Sequence, residues 1–265
     1  MSNRFGFAAP GHLPIEESIR WAGANDFHYI DFNVDNPPNA LDSFDADRVR
    51  TIRALCQQHE VALGIHPSSA INSAEYVPIL AEAVDEYLFA NLDLAQRLGC
   101  SWLVAHGGYH FGDVEKRMNA ALERTQRLLA RAEQGDVLLY FENHNKEPDR
   151  AEIHYIPHNV VETRWFLERL DSSHCRWAFN VAHAHLVPED WAGFLDAFGA
   201  DRIGQVRLND NTGEYEVHLV PGAGNIDFPA LFAALRAEGF DGQLNLGFGN
   251  EADKVRVRNW FAELL

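Results

Sequence analysis

The residues in this sequence best suited to chemistry stand where short apolar runs stop. In chain order they are Asp31 and Asn33, His66, His106, Glu142 with His144, Asn180 with His183 and His185, and Arg207 with Asn209 and Asp210; Glu216 and His218 follow in the next segment. Imidazoles and carboxylates exchange protons near neutral pH and ligate zinc, manganese or iron. A single such residue at the end of a run is ordinarily a hydrogen-bonded structural group. Five histidines (His66, His106, His144, His183, His218) and two carboxylates (Glu142, Glu216) are a different matter. Directed at one place, they would repel or desolvate one another unless they share a metal, a proton network or a polar substrate.

The elements that must position them follow from the apolar pattern. Strand-like runs cover Phe5 to Ala9, Tyr29 to Asn33, Ala62 to His66, Trp102 to His106, Leu138 to Glu142, Trp177 to Asn180, Ile203 to Leu208 and Gln243 to Leu246. Between them lie amphipathic stretches: Ile15 to Ala24, Ala46 to His59, Val77 to Leu98, Val114 to Gln134, Val160 to Leu170, Trp191 to Phe198, Pro229 to Glu238 and Val255 to Leu265. In the third of these, Ala81, Val84, Leu88, Leu92 and Ala95 keep to one helix face. Strands apolar along their whole length, each followed by a helix, predict a closed parallel (β/α)8 barrel, here one domain spanning residues 1–265. A doubly wound sheet would usually carry a Gly-rich loop after its first strand, whereas this chain has Pro10, Gly11 and His12 there. In such barrels the reacting groups sit at the C-terminal ends of the strands, which is where the polar residues fall.

Composition narrows the function. A formal net charge of −17, with only three lysines (Lys116, Lys146, Lys254), repels phosphate backbones and anionic bilayers, so neither nucleic acid nor membrane is expected as a partner. Cys56, Cys100 and Cys175 form no CxxC pair, and the first residues lack an apolar signal core. A cytoplasmic protein acting on a small molecule is the expectation, with room for a homo-oligomer. His28, His59 and His174 belong at the opposite rim, while His110, His154 and His158 fall in loops and are given no role.

At these residues the chain resembles the xylose-isomerase-like TIM barrels, the superfamily of sugar isomerases, epimerases, inosose dehydratases and the endonuclease IV branch. The matching blocks are 63-LGIH-66, 104-VAHGG-108, 141-FENH-144, 179-FNVAHA-184, 206-VRLNDN-211 and 218-HLVPGAGNIDF-228. The resemblance implies a divalent ion held by Glu, Asp, His and a second Glu from strands five to eight. Glu142 keeps the first position, but the others fall on Asn180, Arg207 and Gly247. A guanidinium cannot ligate a cation, so the usual isomerase metal site is expected to be lost. Two further ligand sets of the endonuclease branch remain by position: His66, His106 and Glu142, and His183, Glu216 and His218. The cofactor implied is a zinc or manganese ion displaced from the usual position, with no cofactor as the alternative.

The activity this implies is isomerisation, epimerisation or dehydration of a small sugar, sugar phosphate or keto acid by proton abstraction next to a carbonyl. Glu142 would be the base, its pKa raised by apolar neighbours, and His183 would orient a hydroxyl or relay a proton. Arg207, Asn180, His144 and Gly247 would bind substrate. Arg207 either grips an anionic substrate group or forms a buried ion pair with Glu142. A metal-dependent phosphoesterase and a non-catalytic binding subunit are the alternative functions.

Overall fold

The computed structural model describes residues 4–265. Its strands are β1 (Phe5–Ala8), β2 (Tyr29–Phe32), β3 (Ala62–Ile65), β4 (Trp102–His106), β5 (Tyr109–His110), β6 (Leu138–Glu142), β7 (His154–Tyr155), β8 (Cys175–Asn180), β9 (Ile203–Leu208) and β10 (Gln243–Leu246). Its helices are α1 (Ile15–Ala24), α2 (Ala46–His59), α3 (Pro78–Leu98), α4 (Val114–Gln134), α5 (Val160–Arg169), α6 (Val181–Ala184), α7 (Asp190–Phe198), α8 (Phe228–Ala237) and α9 (Glu251–Leu264). Eight strands close into one barrel in the order β1-β10-β9-β8-β6-β4-β3-β2, and every pair in it is parallel.

Alternation along each strand divides its side chains between two cores. Phe5, Phe7, Ile30, Leu103, Phe141 and Phe179 face outward into the layer shared with the helices. Tyr29, Trp102, Val104, Tyr140 and Ala178 fill the barrel's interior. Gly6 and Gly64 make that interior possible, because a Cβ there would stand 2.1 Å from the Tyr29 ring and 2.0 Å from the Trp102 ring, respectively. Above the aromatics lies a polar layer of Asp31, Gln205, Arg207 and Asn245, all buried.

Register brings the candidate residues side by side. His106 pairs with Glu142 between β4 and β6, and Asn180 pairs with Arg207 between β8 and β9. Asn180 also ends β8 as a helix cap, its side chain accepting from the His183 backbone N–H at 3.1 Å. That cap starts the one-turn helix α6 and turns His183 back over the barrel mouth. The sequence pattern predicts neither α6 nor the antiparallel ribbon of β5 and β7, both too short to show periodicity. The last helix begins at Glu251 rather than Val255, because Asn250 caps it by accepting from Asp253 N–H at 3.0 Å.

Candidate active site

A cavity of about 290 Å³ opens at the C-terminal rim, and all ten site residues named from the sequence line it: His66, His106, Glu142, His144, Asn180, His183, Arg207, Glu216, His218 and Gly247. A larger groove of about 680 Å³ beside Tyr76 and Lys116 gathers no comparable set and opens widely to solvent. The cavity also takes in Ser69, Asn145, Glu147, Tyr155 and Asn209, which sequence reasoning did not assign to substrate. Asn33 lines a neighbouring cleft instead. His185 pairs with Asp190 at 2.8 Å, and Asp210 is consumed in folding the loop after β9, accepting backbone N–H groups from Asn211, Gly222, Gly224 and Ile226.

Glu142 is held from two sides. Its Oε1 accepts from Asn180 Nδ2 at 2.8 Å, whereas Oε2 is buried with no hydrogen-bond partner. Around Oε2 stand Arg207 Nε at 3.4 Å, His106 Nε2 at 3.5 Å and His66 Nε2 at 3.6 Å. The expectation of a raised pKa is corrected here. Burial does push the carboxyl up, but Arg207 together with the neighbouring His106 and His66 rings outweighs it and holds Glu142 well below the usual carboxylate range.

Arg207 is not a free fork for an anion. Its Nη1 donates to Asp31 Oδ2 and to Gln205 Oε1, and its Nη2 donates to His66 Nδ1 at 3.0 Å. With Glu142 beside Nε, one cation already faces two carboxylates, so the ion-pair expectation describes the geometry and the anion grip does not. Asp31 is the residue sequence reasoning left without a role. Arg207 itself was the signal, since a guanidinium inside a barrel demands a buried carboxylate.

The hydrogen-bond chain fixes protons. A guanidinium only donates, so His66 Nδ1 must accept and its proton resides on Nε2, which faces His106 Nε2 at 3.0 Å. Burial and Arg207 push the His66 pKa well below its ordinary value, keeping the ring neutral. The nitrogen that would bind an ion in the set His66, His106 and Glu142 therefore carries a hydrogen. The ligand atoms of His66, His106 and Glu142 do lie within 4.8 Å of one another, so this set would take an ion only with that hydrogen displaced, whereas the group Glu142, Asn180, Arg207 and Gly247 does not fit a cation.

The other set does fit. His183 Nδ1 donates to Asn143 O at 2.7 Å and His218 Nδ1 donates to Gly247 O at 2.8 Å, so each ring turns Nε2 toward Glu216. Those nitrogens lie 3.5 and 2.8 Å from Glu216 Oε1, and both carboxylate oxygens are buried without a well-formed hydrogen bond. Backbone carbonyls that fix the ligand tautomer are the usual outer support of a histidine metal site. The two imidazoles and the Glu216 carboxylate suit zinc, with room for exchangeable ligands. Against burial, His183 and His218 hold Glu216 at about 2, and Glu216 in turn raises the pKa of both histidines. His183 Nε2 also faces Asn180 Nδ2 at 3.2 Å, so the amide and the carboxylate compete for it.

His144 completes the wall. Its ring stacks on Tyr155 at 4.8 Å between centroids and runs parallel to His183 at 5.9 Å. Both its nitrogens are buried and unpartnered, and burial together with His106 and His183 keeps its pKa well below the ordinary value.

The barrel has a counterpart among known families. The family model described as Xylose isomerase-like TIM barrel matches residues 19–263. The chain belongs to this family. Within reach of this xylose isomerase-like TIM barrel by sequence is an uncharacterized protein of Methanocaldococcus jannaschii, 24% identical over 225 residues, covering 82% of this chain and 74% of that one. By structure it is similar to a D-tagatose 3-epimerase-like protein, with a TM-score of 0.85, 20% identity, and 98% and 96% of the two chains covered. A D-allulose 3-epimerase from Methylomonas sp. gives a TM-score of 0.79 at 19% identity, with 99% and 98% covered. At those identities the structural likeness establishes the fold.

Proposed function

We propose that this chain is an isomerase or epimerase of small ketoses, in which Glu142 removes a proton next to the carbonyl and the fixed charge of Arg207 stands beside that carboxylate. The observation that carries this reading is Glu142 Oε2: buried, without a hydrogen-bond partner among the described residues, on a residue that lines the cavity, and 3.4 Å from the guanidinium. When that oxygen takes a proton, the negative charge passes to the substrate's enediolate oxygen. Arg207 then faces the same total charge as before, so the transfer requires little rearrangement of the site.

A low pKa makes Glu142 a weak base, each unit costing about 1.4 kcal/mol of driving force. The acidity of the substrate C–H must be raised correspondingly by donors on the carbonyl. The Nε2–H of His66 stands beside the carboxylate for that purpose, and His183 orients a neighbouring hydroxyl. His144, neutral and unpartnered, supplies or accepts the second proton. A divalent ion held by His183, Glu216 and His218 would polarise a substrate oxygen when bound. The fit of that set, taken alone, also favours phosphoester cleavage as a second reading.

The test is solvent exchange. With a panel of ketoses in D2O, NMR should show deuterium entering next to the carbonyl, and Glu142→Gln should slow it by roughly 10² to 10⁴-fold. Exchange that survives Glu142→Gln, or its absence for every ketose while a phosphodiester is hydrolysed, would reject the reading. Elemental analysis after zinc loading should find metal in the parent protein and much less in His218→Ala.

A further inference from the structure

A second cleft, of about 570 Å³, lies outside the barrel between α1 and α9 and shares no residue with the cavity at the mouth. Its walls are apolar, with Phe7, Leu13 and Trp21 prominent. Polar residues interrupt them: His12, Asn250 and Glu251 are exposed, whereas Ser18 and Lys254 are buried. Lys254 is buried, and its ammonium has a single acceptor, Gly249 O at 2.8 Å. No carboxylate oxygen lies within 4.0 Å of it among the described residues. Ser18 is also buried, and its Oγ has no hydrogen-bond partner among the described residues.

A buried ammonium with no carboxylate in contact is costly, and burial lowers the pKa of Lys254 although the more distant Glu251 and Asp253 oppose the shift. The cleft also receives the start of α9, whose first amides have no acceptor within the helix. Three kinds of donor thus face one apolar space.

We propose that this cleft binds a small organic carboxylate with an apolar body, its head taken by Lys254 and Ser18 and its body by Phe7, Leu13 and Trp21. A monoanion fits better than a phosphate dianion, because the exposed Glu251 stands on the same wall. The assignment does not depend on the reaction at the barrel mouth.

Benzoate, phenylacetate and inorganic phosphate are the probes, titrated by calorimetry and by quenching of tryptophan emission. Benzoate or phenylacetate should bind saturably and raise Tm, and phosphate should not. Lys254→Met keeps the stem and removes the charge, so it should weaken carboxylate binding at least about tenfold, as loss of one charge-assisted contact of 1.4 kcal/mol would. It should also leave the free protein as stable as the parent or more so. Ser18→Ala should weaken binding by a smaller factor and keeps the test intact if Lys254→Met does not fold. Glu142→Gln should bind the probes like the parent. No saturation by either carboxylate, unchanged affinity in both cleft variants, or tighter binding of phosphate would overturn the proposal.

Discussion

Arg207 and Asp31, 176 residues apart in the chain, meet inside the barrel as a buried ion pair, and Trp102 Nε1 donates to the other oxygen of the same carboxylate at 2.7 Å. Both oxygens of Asp31 accept, so the carboxylate is anchored rather than merely near a cation. Burial raises its pKa while Arg207 and Trp102 oppose that rise. The pair ties β2 to β9 across the interior and sets where Arg207 Nε can point.

Removing one partner should therefore be expensive. Asp31→Asn leaves the guanidinium with less compensation, and Arg207→Met leaves two carboxylates without a cation. Each should lower the urea unfolding free energy by about 3–5 kcal/mol. Asp31→Asn combined with Arg207→Met should lose less than the two single changes added together; strict additivity would mean the residues are not coupled.

Gly247 leaves space over the site, since a Cβ there meets only Asn209 Oδ1, at 4.0 Å. Asn180→Asp, Arg207→His and Gly247→Glu, made together with Asp31→Asn to remove the orphaned charge, should create a manganese site that the parent lacks at this position. Elemental analysis in a His218→Ala background separates it from the other ligand set. Equal manganese with and without the four changes would show that these positions do not form a site.

His144 offers a way to separate chemistry from packing. Because neither ring nitrogen has a partner, His144→Leu breaks no hydrogen bond and removes buried polar atoms worth about 1–3 kcal/mol of desolvation cost. Its Tm should match or exceed that of the parent while solvent exchange at the substrate falls. A fall in Tm with unchanged exchange would make His144 a packing residue.

The ribbon beneath Tyr155 should respond to pH. His158 Nδ1 lies 3.2 Å from Glu162 Oε2, and although burial lowers its pKa, the carboxylate raises it above the ordinary value overall. A raised folded-state pKa adds stability that is complete below the unfolded value, near 6.5, and is lost as pH rises through the folded one. The stability gap between the parent and His158→Gln should accordingly be present at about pH 6 and shrink by about pH 9. A gap that grows with pH would contradict this pairing.

Much of this architecture was legible before folding because strands buried on both faces announce themselves as apolar runs. The eight barrel strands fall within two residues of their expected ends, and polar residues at those ends must share a rim. What stayed hidden depends on contacts between distant segments. The tie between Arg207 and Asp31 has no local signature, and it reverses the expected shift of Glu142, for which Tyr140 and Phe141 were a poor guide. Phe141 points away from the cavity into the helix layer, and Arg207 together with the two neighbouring histidines outweighs the desolvation of the carboxyl. The ribbon strands and α6 span only about one period of their patterns, too little to register as a repeat.

A positive charge carried on a side chain has different liabilities from one carried on an ion. Chelators cannot strip Arg207 out, a more abundant metal cannot displace it, and its occupancy does not vary with supply. Its strength is also fixed at synthesis, so the mouth of this barrel can be retuned at that point only by changing the gene.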